Sequence, residues 1–417
     1  MISQVNMLAF HSFWFCLWIQ QVNSVLGVTP SNIPDTSTAG STRLELVKHY
    51  FYCGFSYPEI ILLLFVINNI KISLRQLNRV LKCNNLRRRT GYTPDHIVLD
   101  YISKEIETSG QCIGYRSMWK RLTNEHKLRV PRNKVLSFMK TIDPDGINFR
   151  KAHRIKRRKY RIKGPNYVWH VDGYDKLKPY GFCIHGAIDG YSRRILWLEV
   201  SQSNNNPAVI AMYYLEALKT LRVVPRILRC DKGTENSTLS LLQPFFRYND
   251  TDSISRLRSF IYGKSVSNQR IEAWWGTMRR QGIQWWISFF KDLKDNQEYD
   301  EINPLHVECL KFSFMHLIQA ELDRIAVNWN LHSIRKQRNS EVPNGKHDLM
   351  YFVPELFGGH NYGKIVDQND VDACCEMYGL RRTTCIKEFQ DLVKLLKPDI
   401  RIPMDVQDAL ELYRELL

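Results

Sequence analysis

The 417-residue sequence has 10 cysteines but no C-x-x-C pair, and no Cys/His cluster has zinc spacing. A structural zinc fold is therefore not supported. Several cysteines lie in apolar runs instead, such as Cys183 in YGFCIHGAID and Cys230 in PRILRC. That placement suits buried, reduced thiols in an intracellular protein. The apolar stretch Leu8 to Ile19 has only 12 residues, against the roughly 20 that a membrane-spanning helix needs. Residues 1–42 contain no Lys or Arg, so the basic start of a secretory signal is missing as well. The stretch reads as a non-native or mis-started extension or as a short buried helix, and residues 29–42 as a polar linker. Hydrophobic residues at 44% and aromatics at 12% exclude wholesale disorder and a collagen-like fibre.

Acid is scarce in one part of the chain. The net charge of +17 resides almost wholly in residues 43–163, which hold 27 Lys/Arg against 9 Asp/Glu, while residues 164–417 hold 32 of each. A basic half joined to a neutral half implies a polyanion-binding module attached to a second activity.

Within the basic half, residues 43–90 read as a helix–turn–helix. Gly54 stops one helix, Ser56 with Glu59 opens the next, and Ser73 with Gln76 opens the third. The third helix buries Leu74, Leu77, Val80 and Leu81 and leaves Arg75, Asn78, Arg79 and Lys82 on its polar face. Arg87, Arg88 and Arg89 follow at once. A basic last helix of this kind suits the DNA major groove. Residues 91–149 read as a second unit of the same type, with Arg132 and Lys134 opening its last helix and Asp143–Gly146 as a turn. Residues 150–164 form a basic linker with Arg157 and Arg158 at its centre, able to follow phosphates or to act as a nuclear-import signal.

After Gly164-Pro165 the texture changes to strands: NYVWHVDGYD, then PYGFCIHGAIDG and RRILWLEV joined by a Gly-Tyr-Ser turn. A helix from Pro207, the short strand RILRCD, a further strand in RLRSFIYG and a helix capped by Ser267 or Asn268 complete an α/β layout over 165–302. Residues 303–417 read as a helical C-terminal region whose last part, from 365, is a small appendage without assignable chemistry. Trp274, Trp275, Trp285 and Trp286 suit core packing better than base stacking.

Three acids in the core stand out. Asp172 lies inside an apolar strand, Asp231 ends another, and Glu272 lies on the helix N-Q-R-I-E-A-W-W. A carboxylate in an apolar strand is costly unless paired or bound to a metal. Each acid also has a structural alternative: Asp172 with Lys176 or His170, Asp231 as a cap at Gly233, Glu272 with Arg279 or Arg280. Together they suit two divalent ions in an in-line phosphoryl transfer.

The run VWHVDGYDKL, HGAIDGYSRRILWLEV, ILRCDKGTEN and VSNQRIEAWWGTMRR resembles the integrase core of the DDE transposase and retroviral-integrase superfamily. The stretch GYRSMW to VPRNKVLSFM is similar to the N-terminal half of insertion-sequence transposases, with eukaryotic DNA transposons the nearest type. The resemblance implies an α/β ribonuclease-H-like catalytic core, a mixed sheet with flanking helices, preceded by all-α helix–turn–helix units and followed by a helical region. It implies that Asp172, Asp231 and Glu272 are catalytic and bind two Mg²⁺ (or Mn²⁺) ions. It implies that Asp189 is structural, that Glu235 is not the third acid, and that Arg279, two turns beyond Glu272, faces the scissile DNA. Forty residues separate Asp231 from Glu272, more than in the retroviral pattern. The expected partners are double-stranded DNA, as element ends and target, and further copies of the chain; no membrane is expected, and the expected compartment is the nucleus. The alternatives are a domesticated, non-catalytic DNA-binding protein with the same fold, and a nuclease of this fold without strand transfer.

Overall fold

The computed structural model describes residues 42–87, 91–110, 113–142, 162–263, 268–334, 343–398 and 400–417. The chain divides into two compact units, Met1–Gly91 and Tyr92–Leu417.

The described part of the first unit is three helices, α1 (Arg43–Tyr52), α2 (Tyr57–Val66) and α3 (Leu74–Cys83). Their starts follow from capping chemistry. Glu59 accepts from the Ser56 N–H at 2.7 Å, and Ser73 and Gln76 satisfy each other's backbone N–H groups at 2.8 and 3.2 Å. Gly54 ends α1 with a φ of +74°, a left-handed conformation that glycine adopts without strain. Leu46, Tyr50, Ile60, Leu63, Leu77 and Leu81 meet in the core. Leu74 departs from the expected stripe and is 50% exposed. It is the first residue of α3, where the Cα–Cβ bond tilts towards the helix start and away from the packed turns. No helix among the described residues is long and apolar enough to cross a membrane.

The second unit begins with α4 (Asp95–Glu107), α5 (Tyr115–Lys120), which runs on into a π-helical turn at Arg121–Glu125, and α6 (Arg132–Ile142). Val98, Ile102, Met118, Leu122, Val135 and Met139 form their shared core. The turn at 143–146 and the basic linker to residue 161 lie outside the described residues.

Next comes a five-stranded mixed sheet of β1 (Val168–Tyr174), β2 (Cys183–Asp189), β3 (Ile195–Ser201), β5 (Ile227–Cys230) and β6 (Phe260–Tyr262), in the order β3-β2-β1-β5-β6. The first three strands are antiparallel neighbours, and β5 runs parallel to β1. The short strand β4 (Val223–Val224) pairs elsewhere, with β7 (Lys364–Ile365). Helices lie on both faces, which is the ribonuclease-H-like arrangement expected from the sequence. Strand alternation sorts the side chains. Trp169 and Val171 of β1 enter the core with α7 (Pro207–Leu221) and α8 (Ser237–Phe246). Tyr174 enters the opposite core, with α9 (Gln269–Met278), α10 (Gln284–Asp295) and the long helix α11 (Pro304–Asn330). A register shift between Ala187 and Ile188 changes the parity of β3, so that Leu196 and Trp197 join one core while Ile195 and Leu198 join the other.

Residues 365–417 are not an appendage. Val371 and Cys374 of α12 (Gln368–Tyr378) complete the core on one face. Phe389 and Val393 of α13 (Lys387–Leu396), with Ala409 and Tyr413 of α14 (Val406–Leu416), complete the core on the other. The acidic surface of these helices hides that role in a charge count, because the buried positions are few and widely spaced.

Candidate active site

The pairing of β1 with β5 brings the first two acids together. Val168, Trp169 and His170 pair in parallel register with Ile227, Leu228 and Arg229. Two residues further along each chain stand Asp172 and Asp231. The two-residue period that buries Trp169 and Val171 on one face turns His170, Asp172 and Tyr174 to the other, against which α9 packs. Helix α9 carries Glu272 in its first turn.

Side-chain hydrogen bonds fix α9 on β1. The Asn268 amide donates to the Val171 carbonyl at 2.7 Å, and its carbonyl oxygen meets His170 Nδ1 at 2.6 Å. Asn268 is the N-cap residue, as the sequence suggests, but its side chain makes no capping hydrogen bond and ties the helix to the sheet. Ser267, the other expected cap, lies outside the described residues. Trp275 Nε1–H donates to Asp172 Oδ2 at 2.9 Å. The indole lies over Gly186, the residue paired with Asp172 across β2, and a Cβ there would sit 3.0 Å from Trp275 Cη2. Burial holds the His170 imidazole neutral, near a pKa of about 3.

The Asp172 carboxyl is pushed up to about 7. Burial is the main cause, and the neighbouring charges of Asp231 and Glu272 add to it against the hydrogen bond from Trp275. The structural alternatives for Asp172 are not realised. Among the described residues it forms no ion pair, and His170 is engaged by Asn268. Asp231 is bridged to Glu235 by the buried Asn236 amide, at 3.3 Å to Asp231 and 2.8 Å to Glu235. Burial first, then the charges of Asp231 and Asp175, push the Glu235 carboxyl upward. At the turn after Asp231, the Glu235 carboxylate takes the space beside Gly233. Asp175 lies beyond the strand and accepts from Asn204 at 2.7 Å. Asp189 is fully buried, with its oxygens taken by the N–H groups of Asn166, Tyr191 and Ser192 and by the Ser192 hydroxyl.

The expected cations are placed as follows. Arg279 follows the last residue of α9 and opens a π-helical turn, Arg279–Ile283. It is exposed, donates to Gln284 Oε1 at 2.6 Å, and its charge reaches Tyr174 at the end of β1. Arg75, Arg79 and Arg87 are exposed on the first unit. Arg132 is exposed and covers the Trp119 ring at 4.2 Å, while Lys134 is paired with Asp95 at 2.5 Å. Arg88, Arg89, Arg157 and Arg158 lie outside the described residues. Trp274, Trp275 and Trp286 are core residues, and Trp285 stacks on Phe289.

Among the described residues, the one set of three ligand atoms within 4.8 Å of one another is Glu105, Glu125 and His126. The carboxylates around Asp172 are therefore spread more widely. The Glu105 cluster is already balanced by protein charge. Arg121 pairs with Glu105 at 2.7 Å and with Glu321 at 3.0 Å, and Arg324 pairs with Glu321 and, at 3.2 Å, with Glu125. It joins α4 and α5 to α11. The acids around Asp172 have the opposite character. They are oxygen donors only, and the half-buried Asp172 is destabilised further by its own neighbours, which suits a hard divalent cation.

Sequence reasoning missed Trp275 and the role of Asn268. Both carried a signal: Asn268 stands four residues before Glu272 and Trp275 three after, on the same helical face. No curated protein matches the chain. The family model described as the integrase core domain matches residues 159–345. That span holds the whole sheet, Asp172, Asp231, Glu272 and the long helix α11, and the match supports placing this part of the chain in the integrase and transposase superfamily.

Proposed function

We propose that the chain is a DNA transposase or integrase that cuts and joins DNA at element ends through Asp172, Asp231 and Glu272. The observation that carries this reading is the Asp172 carboxyl. It is pushed up by burial and by two facing acids, with no ion-pair partner among the described residues. Perturbed carboxylates concentrate at functional sites, and here the perturbed group stands with two further acids delivered by a second strand and a helix.

The three acids would hold two divalent ions, Mg²⁺ or Mn²⁺. When bound, these supply an activated water or 3′-hydroxyl and neutralise the leaving oxygen of an in-line phosphoryl transfer. Asp172, Asp231 and Glu272 bind and orient; they do not shuttle protons, because a ligand carboxylate must stay ionised. Arg279, exposed beyond α9 on the Tyr174 side, holds a phosphate of the strand to be cut. Arg75, Arg79 and Arg87, with Arg88, Arg89, Arg157 and Arg158 of the neighbouring basic segments, supply affinity for duplex DNA, and Arg132 adds to them. Lys134, neutralised by Asp95, contributes less than expected. The setting is the nucleus, and several copies would hold two element ends together.

The test is metal-dependent joining of labelled element-end DNA by D172N, D231N and E272Q variants. Each is expected to lose joining by on the order of a thousandfold or more, since several kcal/mol of charge stabilisation disappear, while still shifting duplex DNA in a gel. Joining at the wild-type rate by any of the three overturns the assignment.

A further inference from the structure

Trp275 stands three residues after Glu272 and donates its indole N–H to Asp172 Oδ2 at 2.9 Å. Everything around it restricts its movement. The ring packs on Tyr174 with centroids 5.3 Å apart and on Trp274 at the same separation. Gly186 leaves room for it with no side chain of its own. Asn268 fastens the start of the same helix to β1 at Val171. Trp275 is 7% exposed, so packing alone would explain a large apolar residue here. It does not explain a hydrogen bond aimed at a half-buried carboxylate. Phe would keep an aromatic ring in the same packing and leave Asp172 without its side-chain donor, held by the Gly173 backbone N–H.

We infer that Trp275 is a positioning residue for the carboxylate site: its N–H occupies one oxygen of Asp172 and sets the orientation in which Asp172 presents the rest of its carboxylate to a divalent cation. With the Gly173 backbone N–H as the other donor to the carboxylate, the indole holds the first acid and, through the helical turn between residues 272 and 275, relates it to the third. Groups that orient ligand side chains typically change metal affinity by roughly 10–100-fold when removed. The inference rests on the reading of Asp172, Asp231 and Glu272 as a cation site.

The experiment is Mn²⁺ binding to the full chain without DNA, followed by electron paramagnetic resonance of free Mn²⁺, with thermal unfolding as a parallel measurement. Four proteins are compared: wild type, D172N, W275F and W275H. Histidine places Nε2–H at almost the same reach from Cβ as the indole N–H. Wild type is expected to bind and D172N to lose binding. W275F is expected to bind about tenfold more weakly with an unfolding midpoint near that of wild type, and W275H to recover part of the loss. A purely structural role would lower the midpoint and would not separate W275F from W275H. If W275F binds Mn²⁺ as wild type does, the inference fails and the carboxylate reading survives. If D172N binds as wild type does, the carboxylate reading itself fails. Should W275F not fold, W275H decides: affinity near that of wild type supports the positioning role, and loss of binding in a folded W275H overturns it.

Discussion

Glu105 and Asp172 are both carboxylates set among other acids in the second unit, and their environments move them in opposite directions. Burial alone would raise Glu105, but the hydrogen bond from His126 and the charges of Arg121 and Arg324 hold it down at about 2. Asp172 has no such cations among the described residues, and it stands at about 7. The tighter cluster is thus the structural one, because its charge is already balanced. The looser cluster is the candidate site, because its charge is not. Proximity of ligand atoms is a poorer guide to a cation site than the sign of the residual field.

The contrast can be broken by mutation. The largest expected effect on stability is in the balanced cluster. R121M leaves the buried Glu105 and Glu321 with Arg324 as the one remaining arginine between them, and denaturant unfolding should show a loss of about 3–5 kcal/mol. A loss below about 1 kcal/mol, the scale of a surface pair, would mean that the network contributes little.

The unbalanced cluster should respond in the other direction. The folded-state pKa of Asp172 lies above its ordinary value of 3.8. Its protonated form is therefore favoured by folding. That contribution is full below about pH 4 and is lost as the pH rises through about 7. In the presence of a chelator, D172N should remove this loss and be more stable than wild type at pH 8, by on the order of 2–4 kcal/mol. Unfolding midpoints across pH 4 to 8 measure it; parallel curves for the two proteins would show that Asp172 is not under strain. Glu105 has the reverse sign, since its stabilisation is present above about pH 4.5 and is lost as the pH falls towards 2. An E105Q variant should accordingly lose stability at neutral pH and show a flatter acid limb.

The smallest effect concerns the basic first unit. Arg75 and Arg79 are exposed on α3, so R75A/R79A should leave folding unchanged. It should reduce the slope of log affinity for duplex DNA against log salt by roughly 0.9 for each phosphate that is no longer neutralised. An unchanged slope would remove this helix from the DNA interface.

Much of this molecule is legible in the unfolded chain. The Ser73–Gln76 and Ser56–Glu59 pairs mark helix starts because the chemistry of a cap is local. The alternation in β1 already places His170, Asp172 and Tyr174 on the face opposite Trp169 and Val171. The order of the three acids along the chain marks them as candidates. Other features are hidden. Leu74 satisfies a helical stripe yet lies on the exposed end of it. Arg121 reads as one more cation of a basic segment, yet it is buried and bound to Glu321, 200 residues away. The acidic helices after residue 365 show nothing of their contribution to both cores.

What the sequence determined by itself is therefore local. It set the helix caps, the strand faces, the basic first half and the presence of Asp172 inside an apolar strand, Asp231 at a strand end and Glu272 at a helix start. Only the tertiary structure decided which charges are neutralised, where Asp231 lies beside Asp172, and that Trp275 reaches Asp172 rather than the core alone. The physical reason is that capping and periodicity act over a few residues. Charge balance and hydrogen bonds to carboxylates depend on segments that meet only on folding: α4 and α5 with α11 at Glu105, and β1 with β5 and with α9 at Asp172.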